Sequence, residues 1–256
     1  MIKRILLTTL IVVLSGALLF CWFHFVGRLS AQGRGQARCQ EVEVILLDSL
    51  ESAIVDKKEV HDFLTKRAVG KQTGEIDLDA LEKALRARGE IMSAQVYAAD
   101  EQTLSVRLTQ RKPVIRFENA SQRWYADPEG YLFPVTNAVD VPIVTGHLPL
   151  QFEKNWRGLV PEDKRDWVLG MIRLARYIDS KPDLREEIAQ MDIADDGDIV
   201  LYTRTAGPAI IFGDSDDYVT KFGKLEAWWR NIVPQLDGKT YRTINLKYNN
   251  QIICKL

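Results

Sequence analysis

The stretch that decides the fold is IMSAQVYAADEQTLSVRLTQRKP, residues 91–113. IMSAQVYAA and TLSVRLTQ read as two β-strands, and Asp100 to Gln102 between them form the tight turn of a hairpin. Upstream, Asp56 opens a capping box with Glu59 ahead of a short helix whose apolar side is Val60, Phe63 and Leu64. Asp77 caps a second helix, on which Leu78, Leu81 and Leu85 recur at helical spacing and Gly89 supplies a left-handed stop. Before both, Glu41 to Leu47 alternates around Val42, Val44 and Leu46, as a strand does. The order is strand, helix, helix, strand, strand.

On the N-terminal side, Ile5 to Val26 carries no charge between Arg4 and Arg28. At the helical rise it reaches the ~30 Å of a bilayer core. The run is longer than the apolar region of a signal peptide, and Leu29-Ser30-Ala31 is a poor cleavage site, so it reads as an uncleaved membrane anchor with Trp22 near one interface. Lys3 and Arg4 on one side face Arg28, Arg34 and Arg38 on the other, so charge counting leaves its orientation open. Residues 1–4 form a short end, and residues 27–38, rich in Gly and Gln, read as a linker.

Composition narrows the function classes. The chain has 256 residues, 46% of them hydrophobic and 27% charged, which is globular and leaves room for two small domains. Its 34 basic and 35 acidic residues nearly cancel, which argues against nucleic acid, because counterion release needs a clustered basic surface. Cys21, Cys39 and Cys254 are too few and too scattered for a disulfide framework or a zinc site. Of the three histidines, only His61 and His147 lie outside the apolar run, and no nucleophile, base or phosphate-loop pattern accompanies them. Asp192, Asp195, Asp196 and Asp198 invite a calcium reading, but the twelfth position counted from Asp192 is Thr203 where a closing Glu is needed; a solvated hairpin tip fits better. No catalytic residue, metal, cofactor or small-molecule substrate is expected.

Downstream, Glu162 to Asp179 carries an apolar stripe of Trp167, Met171, Ile172, Leu174, Ala175 and Ile178, closed by Lys181-Pro182. Met191 to Ala194 and Asp198 to Arg204 read as a hairpin, and Ala209 to Phe212 as another strand. A second helix starts at Asp214 to Asp217 and turns Tyr218, Phe222, Leu225, Trp229 and Ile232 inward, ending at Pro234. One tryptophan of Trp228-Trp229 faces the core and the other is partly exposed. The closing TINLKYNNQIICKL, residues 243–256, reads as two strands around a type I′ turn at Asn249-Asn250. That puts Thr243 to Tyr248 inside a sheet and leaves Gln251 to Leu256 as its edge, with Lys255 as the charge that discourages indiscriminate pairing.

Several of these stretches together resemble the FtsQ/DivIB family of bacterial cell-division proteins. The strand, helix, helix, strand, strand order resembles a POTRA domain, and Gln110-Arg111-Lys112-Pro113 resembles the motif that closes the family's POTRA module. Trp124-Tyr125-Ala126-Asp127-Pro128-Glu129-Gly130-Tyr131-Leu132-Phe133 is similar to the hairpin that follows, and Val141-Pro142-Ile143-Val144-Thr145-Gly146 to the L-P-x-L-x-G after it. Asp127, Pro128 and Gly130 also suit a type I turn on their own chemistry. The fold expected is α+β: a transmembrane helix over 5–26, a β-α-α-β-β POTRA domain over 39–113, and a mixed β-rich domain with two helices over 114–256.

The resemblance implies a non-catalytic divisome scaffold, anchored in the bacterial inner membrane by Ile5 to Val26, with its domains in the periplasm at the septum. It implies that the scaffold recruits the bitopic partners FtsB and FtsL and helps control septal peptidoglycan synthesis. In that family the partner adds a strand to the last strand of the β domain, so that main-chain groups give affinity and alternate side chains give selectivity. The matching residues here are Lys247, Tyr248, Gln251, Ile252, Ile253, Cys254, Lys255 and Leu256. Tyr248 has the polar-tipped ring that suits an interface centre, with packing inside the domain as the other reading. Lys247 stands where the family often has arginine, and a lysine lacks the bidentate fork. The competing reading is a POTRA-type chaperone or translocation component for outer-membrane proteins, though such proteins usually carry several POTRA repeats or a barrel.

Overall fold

Asp56 and Asp77 begin helices for the same reason: a short carboxylate on extended backbone accepts N–H groups that a first turn leaves unpaired. In the computed structural model, Asp56 takes those of Lys58 and Glu59 and opens α1, Lys57–Ala68, while Asp77 takes that of Ala80 and opens α2, Leu78–Arg86. Glu59 does not complete the expected capping box, because its carboxylate pairs with Arg88 instead. Nor is Gly89 left-handed. The chain leaves α2 through Ala87 in right-handed backbone, with the Arg88 N–H on the Leu85 carbonyl, so no positive φ is required there.

The structure describes residues 16, 18, 20–22, 37–48, 54–120, 122–134, 137–151, 153, 155–205, 207–237 and 240–256. The expected span from Ile5 to Val26 lies outside them apart from five helical positions, 16, 18 and 20–22; of the expected linker only 37 and 38 are described. Among the described residues no helix is long and apolar enough to cross a membrane.

The chain divides into two units, one of residues 1–50 with 55–109, the other of residues 51–54 with 110–256. In the first, β1 (Glu41–Leu46), β2 (Ile91–Ala98) and β3 (Thr103–Gln110) form a three-stranded sheet in the order β1-β3-β2, with β1 parallel to β3. The hairpin between β2 and β3 is closed by Asp100, whose Oδ1 accepts the N–H groups of Gln102 and Thr103, both at 2.7 Å. Helix α1 packs against β1 and α2 against β2. Val60, Leu64, Leu81 and Leu85 are buried there, as are Val42, Val96, Leu104 and Val106 of the sheet. Burying such apolar side chains is the main favourable term for so small a unit.

The second unit is a ten-stranded sheet with helices on it. Its strands are β4 (Ile115–Glu118), β5 (Arg123–Ala126), β6 (Tyr131–Pro134), β7 (Ile143–Gly146), β8 (Gly158–Leu159), β9 (Ile188–Ile193), β10 (Ile199–Thr203), β11 (Ala209–Gly213), β12 (Thr243–Asn245) and β13 (Ile253–Lys255). They lie in the order β13-β12-β11-β10-β9-β7-β4-β5-β6-β8. The pairs β4·β7, β7·β9 and β11·β12 are parallel. The helices are α3 (Glu162–Asp179), α4 (Pro182–Glu187) and α5 (Tyr218–Asn231). Pro182, read from sequence as the end of α3, instead starts the extra helix α4, where a first-turn proline loses no hydrogen bond. The stripe on α3 is buried in one core with Ile115, Phe117, Trp124, Leu132 and Val144, while Trp167 is half-buried with its ring 5.7 Å from that of Phe117.

Gln110, the last residue of β3, and Arg111 make their side-chain bonds within the second unit. The Gln110 Oε1 accepts the Ile54 N–H at 3.0 Å. Arg111 reaches the β5–β6 turn: its Nη1 donates to Asp127 Oδ2 at 2.6 Å, and its guanidinium lies 3.4 Å from the Tyr131 ring centroid. The other Asp127 oxygen accepts the N–H groups of Glu129 and Tyr131, and Gly130 sits at φ +80, where a side chain would be strained. The two sequence motifs are thus one hydrogen-bonded assembly. Because Asp127 is almost fully buried, removing its cation leaves a charge without compensation. Arg111→Ala should therefore lower unfolding free energy by about 3 kcal/mol in urea melts followed by tryptophan emission, and Arg111→Lys should recover only part of it. An unshifted midpoint would contradict this.

Candidate functional site

The site grows from the last third of the chain, where β11 and β12 lie parallel with Ala209 opposite Thr243 and Ile211 opposite Asn245. Parallel neighbours need a crossover rather than a turn, and α5 is that crossover. Its Phe222 is pinned between aromatic rings, 4.9 Å from Phe212 of β11 and stacked 5.3 Å from Tyr177 of α3. The buried tryptophan of the pair is Trp228; Trp229 is half-buried and Ile232 exposed, against the expectation that both turn inward. The reason is that the sheet continues past β12, so α5 must also cover that flank, and Trp228 lies against Cys254 of β13. Burial pushes the Cys254 thiol above its ordinary value, and the Trp228 contact partly offsets this. Cys39 and Cys254 are free thiols.

Strand β13 is the outermost of the ten, paired antiparallel with β12 through Thr243–Lys255, Ile244–Cys254 and Asn245–Ile253. It is shorter than expected. Gln251 and Ile252 precede it in a loop, and Leu256 follows it, 76% exposed. The type I′ hairpin is also absent: Asn249 and Asn250 turn the chain without positive φ, and the connection runs from 246 to 252. The cause is local and then tertiary. The Asn245 side chain accepts the Lys247 N–H at 3.0 Å and bends the chain out of the strand. The Lys224 Nζ, from α5, then donates to the carbonyls of Leu246 at 2.9 Å and Tyr248 at 2.7 Å.

The side chains expected to bind a partner divide by surroundings. Tyr248 is 48% exposed. Ile252 and Cys254 pack against the core, whereas Gln251 and Lys255 face solvent and Ile253 is half-buried. Lys247 is already engaged: its Nζ donates to Asp198 Oδ2 at 2.6 Å, which holds its ammonium above its ordinary value. Its stem lies against Gly213, where an added Cβ would come within 2.8 Å of Lys247 Cγ. Gly213 has φ +83, so this corner needs glycine twice over.

Sequence reading overlooked two lysines. Lys221 and Lys224, one turn apart on α5, project to the same side of the helix. Lys221 is buried; its Nζ donates to the Asp214 carbonyl at 3.0 Å and to its carboxylate at 2.6 Å. That bond holds the Asp214 carboxyl below its ordinary range, against the opposing effect of burial. Burial, with the nearby Lys221 charge, pulls the Lys224 ammonium down. A lysine on a helix gives no sequence sign that its partner is a carbonyl more than twenty residues away.

The acidic hairpin tip disperses into separate contacts. Asp192 accepts from Thr145 Oγ1 at 2.5 Å, Asp195 faces His147 Nδ1 at 2.9 Å, and Asp198 holds Lys247. Among the described residues no group of three metal-ligating side chains converges. His61 is an exposed neighbour of Asp62.

Residues 112–255 match the family model described as FtsQ/DivIB, C-terminal related, and residues 37–109 match that of a POTRA-like domain. The chain belongs to the FtsQ/DivIB family. No curated protein matches it. This is a family of non-enzymatic cell-division proteins, so the chain has a cell-division role, exercised through protein–protein contacts at the division site. The edge and corner just described lie within the matched FtsQ/DivIB region.

Gly213→Ala should destabilise the second unit by about 1–2 kcal/mol, the cost of a side chain in left-handed backbone, and shift the amide resonances of the 246–252 loop. The Asp214 tie also gives a pH dependence. A depressed carboxyl contributes stability that is complete above the ordinary carboxylate range and is lost as the pH falls through its lowered value. Acid titration followed by NMR should show the Asp214 region loosening below that range, and Asp214→Asn should abolish the transition.

Proposed function

We propose that this FtsQ/DivIB protein is a single-pass scaffold of the bacterial divisome. Ile5 to Val26 anchors it in the inner membrane, its two folded units stand in the periplasm, and it concentrates at the septum. It recruits FtsB-like and FtsL-like bitopic partners and so helps control septal peptidoglycan synthesis. The partner contributes an extended segment to the open side of β13, the mode in which main-chain N–H and C=O groups supply affinity. The observation that carries this reading is the place of β13: it ends a ten-stranded sheet, with the exposed Tyr248 ring on the loop that leads into it.

Tyr248, Gln251, Ile252, Ile253, Cys254, Lys255 and Leu256 form the binding segment. Ile252 and Cys254 support it from the core side, while Tyr248, Gln251, Ile253 and Lys255 present side chains to the partner. Lys247 acts inside the protein, through Asp198.

An aromatic at an interface centre contributes about 2 kcal/mol or more, so Tyr248→Ala should cut recovery of a tagged FtsB-like protein at least tenfold at an unchanged unfolding midpoint. Equal recovery would refute strand addition at this edge. Depletion of the protein should leave cells growing as undivided filaments. Normal septa accompanied by failed outer-membrane assembly would instead favour the POTRA-type chaperone.

A further inference from the structure

Four pieces of chain meet at one end of the second unit's sheet. They are the β9–β10 turn with Asp198, the β11 exit with Gly213 and Asp214, the β12 exit from Asn245 to Tyr248, and the flank of α5. Parallel strands deliver both exits to the same end, and the helix that joins those strands passes over it. Lys221 and Lys224 each capture main-chain carbonyl oxygen there, Lys221 at the β11 exit and Lys224 at the β12 exit. Lys224 donates to the carbonyls of both Leu246 and Tyr248, the residues on either side of Lys247.

We propose that Lys224 is a positioning residue for the binding edge: by holding the Leu246 and Tyr248 carbonyls it fixes the bend after β12, and so sets where β13 begins and where Tyr248 points. The inference rests on the strand-addition reading. A strand of three residues offers few main-chain bonds, so a partner gains little unless the edge is already in place when it arrives. A loop of seven residues with no anchor would sample many entries into β13 and lose binding free energy to ordering. Lys224 removes that freedom from the inside, without occupying the open side of the strand. Asp198, through Lys247, fixes the residue between the two captured carbonyls.

The test is backbone amide exchange on the full-length protein, read by mass spectrometry, together with recovery of a tagged FtsB-like protein from the same bacterium. Lys224→Met keeps the stem and removes the donors. It should raise exchange over residues 246–255 about tenfold, the loss of a charge-assisted hydrogen bond, with α3 and the first unit unchanged, and recovery should fall by a similar factor. Lys224→Arg, which still offers donors to both carbonyls, should restore most of the protection. Unchanged exchange in Lys224→Met overturns the clamp, and so does a rise spread evenly over the second unit, which would mark a general loss of stability. Local loosening with full recovery overturns the link from clamp to edge. In that case Tyr248→Ala separates the two readings: poor recovery with it sinks only the role of Lys224, and full recovery sinks strand addition as well.

Discussion

Two strands that run parallel cannot be joined by a turn, and the pairing of β11 with β12 imposes that constraint on the whole C-terminal third. The crossover must be long enough to return to the start of the sheet, and it must bury one face on the way. Helix α5 does both, through Phe222, Leu225 and Trp228. With β12 placed beside β11, residues 246–252 double back and bring β13 antiparallel onto its outer side. The edge position of β13 follows from that topology, before any particular side chain on it is considered.

The same constraint explains why the corner is polar in a partly buried setting. Both exits of the parallel pair turn out of the sheet beneath α5, which leaves carbonyl groups facing the helix with no ladder to join. An unpaired carbonyl away from water costs about 1–3 kcal/mol, so each such exit must find a donor. Lysine suits this task, because its long apolar stem lies along the helix and its tip carries three donors with no acceptor. The lowered ammonium of Lys224 and the depressed carboxyl of Asp214 are two signs of one environment: burial disfavours the first, and the adjacent cation favours the second.

What was legible in the sequence is what depends on near neighbours. The helix from Glu162 to Asp179 was bounded correctly because its stripe is local, as were both Asp N-caps and the Asp127 turn. Several failures share one cause, which is a partner distant in the chain. Glu59 gave up its capping role to Arg88, and Asn249-Asn250 gave up a two-residue hairpin because Asn245, Lys224 and Lys247 had already bent the chain. Trp228 and Trp229 exchanged places because helical periodicity does not say how far a sheet extends on either side. Of the proposed binding segment, the position at an edge could be read from sequence; the length of β13, and the inward engagement of Lys247, could not.

The shortness of β13 bears on the usual hazard of sheet edges, which are templates for any extended chain. A long flat edge would bind readily and without discrimination, whereas three residues, the last of them a solvent-facing lysine, offer too little main chain to hold a stranger. On the strand-addition reading, selectivity then shifts to what stands beside the strand, which is the Tyr248 ring on a loop held by α5. A partner that reads only the backbone gains little, while one that also meets Tyr248 gains the buried aromatic contact that dominates interfaces of this kind. On that reading, protection against aggregation and selectivity for the partner come from one arrangement, in which the main-chain contribution is kept small and the deciding contact is moved onto an anchored loop.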